Sequence, residues 1–218
     1  ALISELETES KNFRSSAAQA LVHIKKPAVQ PLINCLKNED PDLRETAARY
    51  SIRGGMVAIQ DPNNGEILAM ASYPSNALKN PITQDTYEPG STFKLVAAAA
   101  ALEDSLVSDS ETFFCENGTY EVTPGVFIHD HEPEGALTLQ AILEKSSNIG
   151  IAKVAERVGA SRFYRMSRAM GFGSKTGIGL PGETSGEIKS LSALTKVSLA
   201  ASSYGYGIAA SVLQVLSA

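Results

Sequence analysis

The 218-residue sequence contains no long apolar stretch. Its longest purely apolar run, Leu95 to Leu102, is far below the ~18 residues that a membrane-spanning helix needs. It does not open on a basic segment followed by an apolar one, so no secretory leader is expected at Ala1. Cysteine is scarce: Cys35 and Cys115 stand alone, with no C-x-x-C pair and no histidine at ligand spacing. That pattern excludes the usual zinc and dithiol motifs, and the two thiols read as small buried apolar residues rather than a disulfide pair. Positive charge is also in short supply. Nineteen Lys and Arg face 24 Asp and Glu, a net charge of −5, which speaks against a groove tracking nucleic-acid phosphates. With 17 glycines and 10 prolines against 43% hydrophobic residues, the composition is globular rather than collagenous or low-complexity.

The charge is unevenly placed. Residues 1–53 carry 8 basic and 7 acidic side chains, and residues 54–218 carry 11 and 17, a change of sign that hints at two segments. The first contains a repeat offset by 30 positions. Leu2-Ile3-x-x-Leu6 returns as Leu32-Ile33-x-x-Leu36, and Phe13-Arg14-x-x-Ala17-Ala18 returns as Leu43-Arg44-x-x-Ala47-Ala48. Each unit reads as helix, turn, helix, with Asp40-Pro41 supplying an N-cap and a first-turn proline. The pattern resembles the HEAT-like repeats of helical solenoids. It reads either as the tail of such an array, which needs about three units to be stable, or as a helical hairpin packed on the domain that follows.

At Gly54-Gly55 the periodicity changes. Met56–Ile59 and Ile67–Met70 are short apolar runs around Asp61-Pro62-Asn63-Asn64-Gly65, the signature of a β-hairpin with a longer loop. An Ala-rich segment from about Ser91 to Leu102 is apolar nearly all round, so a buried helix is expected. Residues 111–128 predict one or two short strands, and Thr138–Lys145 and Ile149–Val158 predict helices, the latter stopped by Gly159. A glycine-rich loop over 171–186 precedes a final pair of helices. Strands and helices mingle without βαβ alternation, which gives the α+β class.

Two short motifs could carry chemistry. Ser91 and Lys94, three apart on a helix, share a face, so a neutral amine could take the hydroxyl proton as the serine attacks a carbonyl. Burial and the positive end of the helix both lower the lysine pKa toward the useful range. The spacing alone selects nothing, because 24 serines and 11 lysines give about one such pair by chance. Ser146-Ser147-Asn148 places a hydroxyl and a carboxamide at a helix break, where they could relay a proton and hold a substrate amide, or simply cap the helix.

Context gives these motifs meaning. Gly54-Gly55-Met56-Val57-Ala58-Ile59 through Asp61-Pro62-Asn63-Asn64-Gly65 to Tyr73-Pro74-Ser75 resembles the opening hairpin of penicillin-binding protein transpeptidase domains. Tyr87-Glu88-Pro89-Gly90-Ser91-Thr92-Phe93-Lys94 resembles their Ser-x-x-Lys segment in its class B form. Leu137-Thr138-Leu139 to Ser146-Ser147-Asn148, Gly171-Phe172-Gly173 to Leu180-Pro181-Gly182-Glu183, and Tyr204-Gly205-Tyr206-Gly207-Ile208 follow in the family's order, so the likeness covers residues 54–218.

The resemblance implies a β-lactamase/transpeptidase-like fold, an antiparallel sheet with helices. It further implies a peptidoglycan D,D-transpeptidase of bacterial cell-wall synthesis that acts on stem peptides and is acylated by β-lactams, without cofactor or metal. Ser91 would be the nucleophile, Lys94 its general base, Ser146 a proton relay and Asn148 a substrate-positioning amide, with the Ser91 N–H as half of the oxyanion hole. Partners would be cell-wall synthesis or division proteins, and the setting the periplasm or the extracytoplasmic face of the inner membrane.

Two departures qualify the likeness. The family's catalytic Lys-Thr-Gly opens a strand beyond the Tyr-Gly-Tyr-Gly-Ile segment, and the sequence ends before it, so an incomplete fold with weak or absent activity is expected. Lys175-Thr176-Gly177 lies in the structural loop instead. The repeats also stand where the family has a membrane anchor and a pedestal domain. Two rival readings are a serine β-lactamase or β-lactam sensor, and an interaction protein in which the transpeptidase part is inert. His129-Asp130-His131 with Glu132 and Glu134 could suggest a metal cluster, but it reads as a surface loop.

Overall fold

The structure is a computed structural model and describes residues 55–73 and 79–218. The helical repeats expected over 1–53, with Cys35, lie outside the described residues. The chain divides into two compact units, residues 1–82 and 83–218.

In the first unit, β1 (Gly55–Gln60) and β2 (Ile67–Tyr73) form the expected antiparallel hairpin. Val57 faces Ala71 and Ala58 faces Met70, with a register shift between Ile59 and Gln60. The connecting residues close on themselves. The Asp61 carboxylate accepts from the Asn63 N–H at 2.9 Å, the Asn64 side chain accepts from the Glu66 N–H at 2.9 Å, and Gly65 takes a φ of 75°. These are the Asx turns that Asn and Asp supply. A single helical turn, α1 (Pro81–Gln84), follows in sequence.

In the second unit a 3-10 turn, Gly90–Phe93, runs straight into α2 (Lys94–Glu103). The order then runs β3 (Thr112–Phe114), β4 (Thr119–Thr123), β5 (Val126–His129), β6 (Ala136–Thr138), α3 (Leu139–Glu144), α4 (Asn148–Val158), α5 (Ala160–Ala169), α6 (Lys196–Ser203) and α7 (Val212–Ser217). Helices and antiparallel strands coexist, as the α+β class requires. Among the described residues the strands pair as three two-stranded ladders, β1–β2, β3–β6 and β4–β5, rather than as one sheet.

Helix α4 is the centre of the core. Ile149, Ile151, Ala152, Val154 and Ala155 have no exposed surface, and α2, α3 and α6 pack around them. Gly150 permits the closest approach, since a Cβ there would lie 2.5 Å from Ile142 Cγ1 on α3. Phe93 anchors the start of α2, with its ring centroid 4.6 Å from that of Phe172 and 6.0 Å from that of Phe163. Burying such a ring contributes about 2–3 kcal/mol, and here it fixes the residue just before Lys94.

Some expectations are corrected. Helix α2 is buried along Val96, Ala97, Ala98, Ala100 and Ala101, but Leu95 and Leu102 are more than half exposed. Three strands, not one or two, lie between residues 111 and 129, because β3 finds its partner in β6. Helix α5 follows α4 with only Gly159 between them, at φ 80°. Gly159 ends α4 as expected, and what the sequence reading lacked is the second helix, α5, that starts directly after it.

Candidate active site

Ser91 and Lys94 are placed by the turn-to-helix junction. Gly90 enters it with φ 60°, and the Thr92 hydroxyl donates to the Pro89 carbonyl at 2.7 Å. Residues 204–210 support the turn from outside. Tyr87 and Ala210 exchange backbone hydrogen bonds at 3.0 Å, the Gly207 N–H donates to Glu88 Oε1 at 2.8 Å, and the Gly205 backbone lies directly on Gly90. A Cβ at Gly205 would fall 2.2 Å from the Gly90 carbonyl oxygen. The Tyr-Gly-Tyr-Gly segment is thus a backing for the serine turn.

Lys94 is 2% exposed and points its amine at three oxygens. Nζ donates to Ser91 Oγ at 3.0 Å, to Ser146 Oγ at 2.8 Å and to the Ser146 carbonyl at 2.6 Å. Ser146 Oγ in turn donates to Ser91 Oγ at 3.0 Å. The two hydroxyls and the amine close a triangle across 55 positions of sequence. Ser146 reaches it from the link between α3 and α4, with φ 56°, a left-handed conformation uncommon outside glycine.

Burial lowers the Lys94 ammonium from its ordinary 10.5 to about 8, while the negative charge of Asp130 pulls the other way. The carbonyl of Ser146 can only accept, so it holds one N–H whatever the protonation state. A neutral amine keeps two N–H groups and one lone pair, and in this geometry the lone pair can face a hydroxyl. The arrangement can therefore move a proton from Ser91 to Lys94, and between Lys94 and Ser146, without moving a heavy atom far.

Asn148 is brought nearby but stands outside the triangle. Its Nδ2 donates to the His129 carbonyl at 3.0 Å, and no hydrogen bond joins its side chain to Ser91, Lys94 or Ser146. The His-Asp-His stretch disperses: His129 Nδ1 lies 3.2 Å from Thr119 Oγ1, and Glu134 pairs with Lys145 at 2.6 Å. Asp130 binds the first turn of α4. Among the described residues no three such side chains converge as metal ligands. Lys175-Thr176-Gly177 lies in a loop, where the Thr176 N–H and hydroxyl both donate to the buried Glu183 carboxylate, and Gln214 ties the loop at Ser174 and Ser185.

Sequence reasoning missed the support from Gly205 and the engagement of Asp130. A glycine between two aromatic residues was a signal for the first. The second had none, since an accepting carboxylate 17 residues from the helix start leaves no local pattern.

A family model described as penicillin binding protein transpeptidase domain matches residues 55–218, and a model of HEAT repeats matches residues 1–70. The stage V sporulation protein D of Bacillus subtilis is 32% identical over 190 residues, 81% of this chain and 29% of that protein. The probable peptidoglycan D,D-transpeptidase PbpC of Pseudomonas aeruginosa is 30% identical over 193 residues, 81% of this chain and 33% of that one. The chain thus spans no more than about a third of these relatives.

Two solved structures are similar. A peptidoglycan glycosyltransferase from Burkholderia ambifaria has a TM-score of 0.73 at 30% identity, over 79% of this chain and 54% of its own. Penicillin-binding protein 3 of Mycobacterium tuberculosis, complexed with ampicillin, has a TM-score of 0.63 at 32% identity, over 74% and 38%. With the family model covering three quarters of its length and two structures superposing on its fold, the chain belongs to the penicillin-binding protein transpeptidase domain family.

Proposed function

We propose that this chain carries the serine centre of a peptidoglycan D,D-transpeptidase, with Ser91 as nucleophile, Lys94 as general base, Ser146 as relay and Asn148 as the amide that orients substrate. The observation that carries the reading is the closed triangle of Ser91, Lys94 and Ser146 around a buried amine lowered to about 8. Neutral Lys94 takes the Ser91 hydroxyl proton as Oγ bonds to the carbonyl carbon of a stem-peptide amide or a β-lactam ring. The C–N bond breaks, and the leaving nitrogen receives its proton from Lys94 through Ser146 Oγ. A second amine, or water, then attacks the Ser91 ester and frees the serine. The Ser91 N–H would donate to the developing oxyanion.

The substrate sets the rest of the reading. Peptidoglycan lies outside the cytoplasmic membrane, so the site works in the periplasm or on the extracytoplasmic face, beside other proteins of wall synthesis or division. Among the described residues no helix is long and apolar enough to cross a membrane. We read residues 1–53 as the helical repeats and residues 54–218 as the transpeptidase part.

A fluorescent penicillin tests the assignment. The full-length protein should be labelled covalently, the label should map to Ser91, and Ser91→Ala should abolish it. Labelling that survives Ser91→Ala sinks the assignment.

A further inference from the structure

Asp130 belongs to a stretch that reads from sequence as a solvent-facing corner, and the reaction above makes no use of it. The structure gives its carboxylate a full set of partners. Oδ2 accepts from Ser147 Oγ at 2.6 Å, and Oδ1 accepts from the N–H groups of Asn148 at 2.5 Å and Ile149 at 3.0 Å. Its own N–H donates to the Gly118 carbonyl at 3.2 Å, so the clasp is rooted beside the β4–β5 hairpin. Hydrogen bonds from a helix's first turn to a carboxylate are charge-assisted and favoured by the helix dipole.

The clasp lies one residue from the triangle. Ser147 Oγ, while donating to Asp130, accepts from the Gly150 N–H at 2.8 Å and so locks the start of α4. On the other side, the Ser146 and Ser147 N–H groups donate to the carbonyls of Leu143 and Ile142 on α3 at 3.2 and 3.0 Å. Ser146 is held between them in its left-handed conformation, which persists only where the surroundings over-determine it.

We propose, building on the serine acyl-transfer reading, that Asp130 is a positioning residue. Its carboxylate fixes the Ser146-Ser147-Asn148 corner so that the Ser146 carbonyl and hydroxyl meet the Lys94 amine, and its charge sets the field there. The direction of that field is defined: Asp130 favours the charged amine and opposes the effect of burial. Among the described residues it is the ionisable group that acts on Lys94, and Ser91 and Ser146 face the amine as neutral hydroxyls.

Two substitutions in the whole protein separate position from charge. Asp130→Asn keeps an acceptor oxygen but removes the charge, so Lys94 should titrate at lower pH. Carbon-13 NMR of the lysine Cε reads this directly, with Lys94→Met identifying the resonance. Ser147→Ala removes one bond of the clasp and leaves the charge, so the titration should stay where it is. In both variants, acylation by a fluorescent penicillin at a pH where Lys94 is neutral should fall about 10- to 100-fold, the scale of a small misplacement of a reacting group.

Circular dichroism establishes that each variant is folded. Should Asp130→Asn not fold, Ser147→Ala decides alone, and a wild-type acylation rate in it overturns the proposal. So does an unmoved Lys94 titration in folded Asp130→Asn. If the wild-type protein is not acylated at Ser91, the acyl-transfer reading falls by itself. The Lys94 titration needs no substrate and still tests Asp130.

Discussion

The pH dependence of acylation is the sharpest consequence of the Lys94 environment. An amine acts as a base only when neutral. At pH 7 an amine titrating at its ordinary 10.5 is neutral about three times in ten thousand, whereas one lowered to about 8 is neutral about one time in eleven. Burial in α2 therefore raises the supply of active base at pH 7 about 300-fold, because each pKa unit is a factor of ten. The acylation rate should climb tenfold per pH unit below about 8 and level off above it, with a plateau about elevenfold over the pH 7 value. The assay is the second-order rate of labelling by a fluorescent penicillin between pH 5.5 and 10, at fixed ionic strength, with the fold followed by circular dichroism. Lys94→Arg keeps a positive charge at that place but never deprotonates, so the plateau should drop by about 10²–10⁴. A flat profile through pH 8, a midpoint near 10.5, or an active Lys94→Arg protein would refute the argument.

What the sequence discloses depends on how far apart the interacting groups lie. The β1–β2 hairpin, the Ser91–Lys94 face and the capped start of α4 were all legible, because each rests on residues within a few positions of one another. The structural character of Lys175-Thr176-Gly177 followed instead from the family resemblance, and in the structure its threonine is bound to Glu183 seven residues on. The chemistry of the triangle was not legible from spacing. Lys94 meets Ser146 across 52 positions, and only the packing of α2 and α3 against α4 brings them together. Resemblance to a family supplied that pairing in advance; periodicity could not. The three-residue ladder of β3 and β6 is too short for alternation to register, and its partners are 22 or more residues apart. Asp130 was misread for a related reason. In a polar run a carboxylate reads as solvated, and nothing nearby reveals that three donors await it at the end of another element.

Two further predictions probe the supports of the site. Between about pH 8 and 10.5 the unfolded chain binds more protons at Lys94 than the folded one, so this group makes stability rise with pH across that window. The melting temperature of the wild-type protein minus that of Lys94→Met should climb over the same range, and a constant difference contradicts the burial of the amine. Gly205→Ala addresses the serine turn from behind. The new methyl group would lie 2.2 Å from the Gly90 oxygen and 2.5 Å from its nitrogen, both backbone atoms, at a residue with φ 85°. Gly90 must then move and take Ser91 with it, costing about 1–3 kcal/mol of stability and about a hundredfold in acylation. Gly207→Ala is the matched control. It has a similar φ of 68°, but its nearest neighbour is the flexible Lys189 side chain at 3.4 Å, so it suffers the backbone strain without the collision. Equal losses of acylation in the two variants would mean that strain in the segment, rather than contact with Gly90, governs where Ser91 stands.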